Sequence, residues 1–132
     1  MSVELLRSAH SVLVIDWPSR DVPDSLALAG LTVVAHEGPG DEDYVRYEVE
    51  DGAVVVGPRG PAPAQADLVY TFRPVEELPE ILATARSLGA KAIWTQFVAP
   101  SDEDARRARA LVESAGLTYI DSPSIAYAAR SL

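Results

Sequence analysis

The chain has 132 residues, a length that fits one domain able to bury roughly two thirds of the surface of its unfolded form. Its 48% hydrophobic content argues against wholesale disorder, and its net charge of −9 opposes non-specific binding to nucleic acid. Because cysteine is absent, disulfides, thiolate nucleophiles and cysteine zinc sites are excluded.

The first third of the chain predicts a helix, a strand, a second helix and a second strand. Residues 1–10 predict a short leading helix, and the aliphatic run 12–15 suits a central parallel strand. A loop with two prolines and no glycine follows at residues 16–23, and it leads into a helix that ends at Gly30. Residues 31–35 predict the second strand.

The next segment departs from this alternation of helices and strands. An acidic turn precedes residues 44–49, in which polar and apolar side chains alternate as they do in a strand. Asp51-Gly52 separates this run from the apolar residues 53–56, and an Asp-Gly pair in that position is a strong hairpin signal. We therefore predict an inserted antiparallel β-hairpin, followed by a proline-rich connector at residues 57–66.

Residues 69–97 predict one complete parallel crossover. A short apolar strand at 68–71 is followed by apolar residues spaced three and four apart, which predict a helix over 75–88. Gly89 stands where a helix needs a left-handed residue beyond its end, and residues 92–94 begin another buried strand. Two parallel strands joined by a helix cannot bury both faces alone, so the crossover requires a doubly wound sheet.

The last third repeats the pattern. Ser101 is placed to cap a helix that ends at Gly116, residues 117–120 predict the last strand, and Ser122-Pro123 opens a terminal helix through Ala129. The fold class is therefore α/β. We predict a single doubly wound, Rossmann-like domain over residues 1–132, with a mostly parallel sheet of about five strands and an inserted β-hairpin.

Three short motifs carry a family resemblance: Phe72-Arg73, Gly89-Ala90-Lys91 and Trp94-Thr95-Gln96. In this order and spacing they resemble the small single-domain CoA-binding proteins, which are related to the CoA-binding domain of the succinyl-CoA synthetase alpha subunit. Glu4-Leu5-Leu6 and Asp121 extend the resemblance towards both ends, whereas residues 38–66 do not match. The resemblance implies CoA or an acyl-CoA as the ligand. It carries over no catalytic residue, because the relatives use a phosphorylated histidine from a further domain.

The resemblance also implies a glycine-containing phosphate loop after the first strand, and here the chain departs from the family. Backbone N–H groups at a helix N-terminus bind anions, and glycine permits close approach. Asp16 stands where the first glycine is expected, and the loop and helix are several residues shorter. Arg20 and Arg73 are the available cations, since guanidinium groups suit phosphate. In the alternative interpretation, Asp16 caps local N–H groups and Arg20 is a solvated loop residue.

Ligands of doubly wound sheets bind at the carboxyl ends of the strands. The residues predicted to bind the ligand there are Asp16, Trp17, Pro18, Ser19, Arg20, His36, Phe72, Arg73 and Gln96. Three of them have structural alternatives besides those of Asp16 and Arg20: Arg73 could pair with Glu76 or Glu77, Gln96 could hold a neighbouring loop, and His36 could simply be exposed. Trp94, in contrast, is expected to pack under a helix.

The sequence thus predicts a non-catalytic CoA- or nucleotide-binding domain with a shortened, glycine-poor phosphate loop. The alternative is a degenerate Rossmann domain that acts as a protein-interaction or self-association module, and a homodimer is open in either case. We expect no enzyme, because no G-x-S-x-G elbow is present, and the two histidines have no spacing that suits a metal site. No apolar run approaches a membrane span and no leader is recognised, so we expect a cytoplasmic protein without nucleic-acid or membrane partners.

Overall fold

Seven strands form a single sheet in the computed structural model, which describes residues 2–132. The strands are β1 (Ser11–Ile15), β2 (Thr32–His36), β3 (Tyr44–Glu50), β4 (Ala53–Val56), β5 (Leu68–Thr71), β6 (Ala92–Thr95) and β7 (Thr118–Ile120). The helices are α1 (Ser2–Ser8), α2 (Asp21–Leu28), α3 (Leu78–Ser87, after a 3-10 turn at Val75–Glu77), α4 (Asp102–Ser114) and α5 (Ile125–Arg130). Met1, which belongs to the predicted leading helix, lies outside the described residues.

The strand order is β4-β3-β2-β1-β5-β6-β7. Five neighbouring strands are parallel to one another: β2, β1, β5, β6 and β7. The α/β prediction is confirmed, but the strand number was wrong: the sheet has seven strands rather than about five, and it is partly antiparallel. The reason is that the hairpin does not stand apart. Strand β3 pairs with four of the five residues of β2, from Val33 opposite Tyr47 to His36 opposite Tyr44, so the hairpin extends the sheet at that edge.

The hairpin turn itself has the predicted chemistry. Asp51 and Gly52 both have positive φ angles, 53° and 81°, which is the backbone conformation of a two-residue type I′ turn. On β3, Val45 and Tyr47 are buried while the intervening side chains are more exposed. That alternation fixes the register of the hairpin against β2.

Helices cover both faces of the parallel strands, as a doubly wound sheet requires. Alternate residues of each strand point to opposite faces: Val12 and Val14 pack with α1, α2 and α5, whereas Leu13 packs with α3 and α4. Trp94 is buried on the first of these faces, and its indole Nε1 donates a hydrogen bond to the carbonyl oxygen of Pro123 at 3.0 Å. The expectation that Trp94 packs under a helix is therefore confirmed.

Helix ends follow the sequence signals with one exception. Ser101 caps α4 by accepting a hydrogen bond from the backbone N–H of Asp104, and glycines with positive φ follow α2, α3 and α4. The terminal helix begins later than predicted. Its cap is Ser124, which accepts from the backbone N–H of Tyr127, because Ser122-Pro123 belongs to the preceding loop that receives the Trp94 bond.

The topology places a crevice beside β1. The chain leaves β1 towards α2 on one face of the sheet, and it leaves the neighbouring strand β5 towards α3 on the other face. The two connections diverge, so the carboxyl ends of β1 and β5 form the switch point at which ligands of doubly wound folds bind.

Candidate functional site

An open cleft of about 840 Å³ lies at this switch point. Its walls are residues 15–17 after β1, residues 36–39 after β2, Arg59 from the proline-rich connector, and Arg73 after β5. The remaining wall of the cleft is one face of the 3-10 turn and α3. This face presents four residues at helical spacing, which are Glu77, Glu80, Ile81 and Thr84.

Arg73 forms the centre of an ion-pair cluster in the cleft. Its Nη2 donates to Glu77 Oε2 at 2.6 Å, its Nε donates to Glu77 Oε1 at 3.1 Å, and its Nη1 donates to Asp16 Oδ2 at 3.0 Å. The bonds to Glu77, and then to Asp16, raise the pKa of Arg73, and the Arg73 bonds lower the pKa of Glu77. The guanidinium and the Glu77 carboxylate are therefore both charged at neutral pH. The predicted alternative contact, Arg73 with Glu77, is present, and Arg73 lines the cleft as well.

Asp16 has a backbone conformation that favours glycine. Its φ angle is +59°, in the left-handed region that glycine adopts without strain and that Asp tolerates better than most residues. Its side chain uses one oxygen, Oδ1, to accept from the backbone N–H of Trp17 at 2.9 Å, and the other to pair with Arg73. The loop after β1 thus combines a left-handed backbone conformation with a carboxylate that faces Arg73.

The N-terminus of α2, the expected phosphate site, carries carboxylates of its own. Asp21 and Asp24 lie in the first turn, where they interact favourably with the helix dipole. Asp21 Oδ2 pairs with Arg130 of α5 at 2.8 Å, and Asp24 Oδ1 pairs with Arg20 at 3.0 Å. An added phosphate at this helix end would therefore meet two negative groups.

Arg20 does not line the cleft. In addition to its pair with Asp24, its Nη2 donates to the carbonyl oxygen of Val54 at 3.2 Å, and its guanidinium lies 5.6 Å from the ring centre of Tyr47. These contacts direct Arg20 towards the hairpin. Trp17 contacts the same Tyr47 ring edge-on, with ring centres 6.4 Å apart, but Trp17 also lines the cleft.

His36 and Arg59 form the wall above β2. The His36 ring stacks on Tyr44 with ring centres 4.1 Å apart, and its Nε2 lies 3.2 Å from the carbonyl oxygen of Gly40. Arg59 Nη2 lies 3.6 Å from Glu37 Oε2, and its Nη1 lies 3.3 Å from Asp43 Oδ1. His36 is half-buried rather than free in solvent, so the exposed alternative does not describe it.

Phe72 and Gln96 lie on the side of the sheet that α1, α2 and α5 cover, away from the α3 wall of the cleft. Phe72 packs against the core beneath α1, α2 and α5, and Gln96 Oε1 accepts from the buried Tyr70 hydroxyl at 2.8 Å. Burial, with a further contribution from the Asp16 carboxylate, raises the pKa of Tyr70, so its hydroxyl stays protonated and keeps this bond. Gln96 therefore connects the end of β6 to the neighbouring strand β5 rather than to a loop.

Of the nine predicted site residues, Asp16, Trp17, His36 and Arg73 meet in the cleft. The other five lie outside its walls: Pro18, Ser19, Arg20, Phe72 and Gln96. Sequence reasoning missed Glu80 and Arg59. The helical spacing of Glu77, Glu80 and Thr84 could have identified the α3 wall, whereas an arginine in an irregular connector gave no signal.

The cleft has more negative than positive groups. Four carboxylates line it, those of Asp16, Glu37, Glu77 and Glu80, against the two guanidinium groups of Arg59 and Arg73. An anionic ligand must therefore compete with protein carboxylates for both arginines. Within residues 2–132, no group of three or more His, Cys, Asp or Glu side chains could hold a metal ion, and none of the helices has the length and apolar character to cross a membrane.

The fold and cleft define a Rossmann-like α/β domain with a ligand crevice at its topological switch point. The chain belongs to the CoA binding domain family, whose pattern matches residues 16–129, and this confirms the resemblance seen in the sequence. No curated protein matches the chain.

Solved structures agree on the fold. The crystal structure of Prb, described as the PH1109 protein redesigned for binding, has a TM-score of 0.65 and 20% identity, over 98% of this chain and 88% of that one. A protein of unknown function from Methanothermobacter thermautotrophicus has a TM-score of 0.61 and 13% identity, over 89% and 80% of the two chains. Cell-free ID.343 from Thermus thermophilus has a TM-score of 0.60 and 19% identity, over 97% and 93%.

Proposed function

We propose that this domain binds CoA or an acyl-CoA in the cleft at the ends of β1, β2 and β5, and that it does so without catalysing a reaction. The observation that carries the proposal is the coincidence of two facts. The chain belongs to the CoA binding domain family, and its cleft opens at the switch point within the matched residues.

The ligand's pyrophosphate is placed between Arg73 and the backbone that follows β1. Arg73 uses three of its five N–H donors on Asp16 and Glu77, so two remain for a phosphate. A phosphate that displaced Asp16 from Nη1 would leave both bonds to Glu77 intact. Glu77 would then hold the guanidinium in a fixed orientation while the other edge of Arg73 bound the ligand.

The excess of carboxylates favours one competing function, a domain that has lost its anionic ligand and binds a protein or a second copy of itself.

Calorimetric titration with CoA and acetyl-CoA separates CoA binding from this competing function. Under our proposal both ligands bind at one site and raise the unfolding temperature, because they bind only the folded state. No heat and no thermal shift at millimolar ligand would reject CoA binding, and a dimer in light scattering would then favour the interaction module. Intact acetyl-CoA after prolonged incubation would agree with a non-catalytic role.

Asp16→Gly is expected to strengthen CoA binding by about fivefold, or about 1 kcal/mol. The substitution removes a carboxylate from beside the phosphate, frees Arg73 Nη1, and places glycine where φ is already +59°. Titration calorimetry measures the change.

Two further variants at this position separate charge from backbone. Asp16→Asn removes the same charge and tolerates the left-handed conformation, so it should give a similar gain. Asp16→Ala should gain affinity but lose about 1 kcal/mol of stability, since its Cβ is strained at positive φ. Unchanged or weaker CoA binding in both Asp16→Gly and Asp16→Asn would show that the phosphate does not lie beside Asp16.

A further inference from the structure

Arg59 is the second cation of the cleft, and it stands apart from Arg73. It lies in the connector after the hairpin and contacts Glu37, directly beyond β2, whereas Arg73 directly follows β5. The backbone of Arg59 lies beyond β3, since the adjacent Gly60 pairs with Tyr44, and its side chain reaches back to the end of β2. Because β2 and β5 flank β1, the two guanidinium groups lie on opposite sides of the end of β1. Long side chains at such positions can bind two separate anionic groups of one ligand.

The two arginines differ in how far their hydrogen-bonding capacity is used. Arg73 makes three hydrogen bonds to carboxylates. Arg59 has carboxylate oxygens at 3.3 and 3.6 Å, and neither contact has the geometry of a hydrogen bond. Its five N–H donors are therefore available, while the charges of Glu37 and Asp43 keep the guanidinium at the cleft. With 53% of its side chain exposed, Arg59 can turn to a ligand without breaking buried contacts.

We propose that Arg59 receives the 3′-phosphate of CoA, so that the cleft distinguishes CoA from nucleotides without that group. This inference rests on the proposed function. CoA carries two anionic groups on its adenosine ribose, a pyrophosphate at the 5′ position and a phosphomonoester at the 3′ position. The arrangement of the cleft matches this pair. Arg73 binds the pyrophosphate, and Arg59 binds the 3′-phosphate through two parallel N–H donors of its guanidinium group.

The neighbours of Arg59 make its role sensitive to substitution. Asp43 Oδ2 accepts from the backbone N–H of Gly40 at 2.9 Å, and Glu37 Oε1 accepts from the Tyr47 hydroxyl at 3.4 Å, so both carboxylates stay in place without Arg59. In Arg59→Ala they would face the 3′-phosphate uncompensated. The variant should therefore reverse the preference of the cleft and bind dephospho-CoA more tightly than CoA.

Titration of two proteins with two ligands tests the proposal. Wild type should bind CoA about fivefold more tightly than dephospho-CoA, and Arg59→Ala should lose more than about tenfold for CoA with dephospho-CoA unchanged within about twofold. Arg107→Ala is the matched control. Arg107 has a similarly exposed side chain, 51% against 53%, and a single ion pair with Glu76 at 3.3 Å outside the cleft, so its loss changes the net charge equally and should affect both ligands alike.

The outcomes separate this inference from the function on which it rests. Equal loss for both ligands in Arg59→Ala, or no loss, would overturn the role of Arg59 and leave CoA binding standing. Failure of wild type to bind either ligand would reject CoA binding itself, and the inference with it. Thermal melting of Arg59→Ala confirms that the variant is folded before its affinities are compared.

Discussion

Arg73→Ala is expected to weaken CoA binding by about 30-fold, equivalent to about 2 kcal/mol. Two effects add in this variant. The phosphate loses its charge-assisted hydrogen bonds, and the carboxylates of Asp16 and Glu77, which Arg73 neutralises in the wild type, are left to repel it. Titration calorimetry at two salt concentrations measures the loss, which should shrink as salt screens the repulsive part.

A second substitution separates the two effects. Arg73→Ala combined with Asp16→Asn restores part of the charge balance without restoring a phosphate donor, so it should recover some but not all of the lost affinity. Arg107→Ala, outside the cleft, should leave the affinity within about twofold of wild type. CoA affinity that stays unchanged in Arg73→Ala would remove Arg73 from the site and with it the placement of the pyrophosphate.

Local signals in the sequence predicted most of the fold. The apolar runs that became β1, β2, β5, β6 and β7, the glycines that end three helices, and the turn at Asp51-Gly52 each act within a few residues, where propensity and periodicity are informative. The strand count failed because pairing between β2 and β3 depends on tertiary packing. Alternation on β3 indicates a half-buried strand but not the strand beside which it lies.

The site was less predictable, because its chemistry depends on contacts between distant positions. Asp16 and Arg73 are 57 residues apart in sequence, so their ion pair follows only from the parallel pairing of β1 with β5. Arg20 was expected at the phosphate, yet its spacing of four from Asp24 on a helix is the pattern of a local ion pair, and that pair is present. Arg59 comes from a connector whose course no local rule specifies.

Trp94→Ala should lower the free energy of unfolding by about 3–5 kcal/mol, the largest effect on stability that we expect from a single substitution here. Only 1% of the Trp94 side chain is exposed, so truncation leaves a cavity between the sheet and α5 and also removes the 3.0 Å hydrogen bond to Pro123. Urea unfolding should show a lower midpoint with an unchanged slope. A loss below about 1 kcal/mol would mean that α5 does not pack on Trp94 as described.

Trp94→Phe provides the control and at the same time a probe of the cleft. Phenylalanine keeps most of the buried apolar surface, so this variant should lose only about 1–2 kcal/mol and stay folded. The chain has two tryptophans, and in Trp94→Phe the remaining one is Trp17, which lines the cleft beside Asp16. Its fluorescence should therefore change when CoA binds and follow the same titration curve as the calorimetric heat. Heat of binding without any change in Trp17 emission would place the ligand elsewhere on the domain, because a nucleotide in this cleft must contact or desolvate the indole that forms its wall.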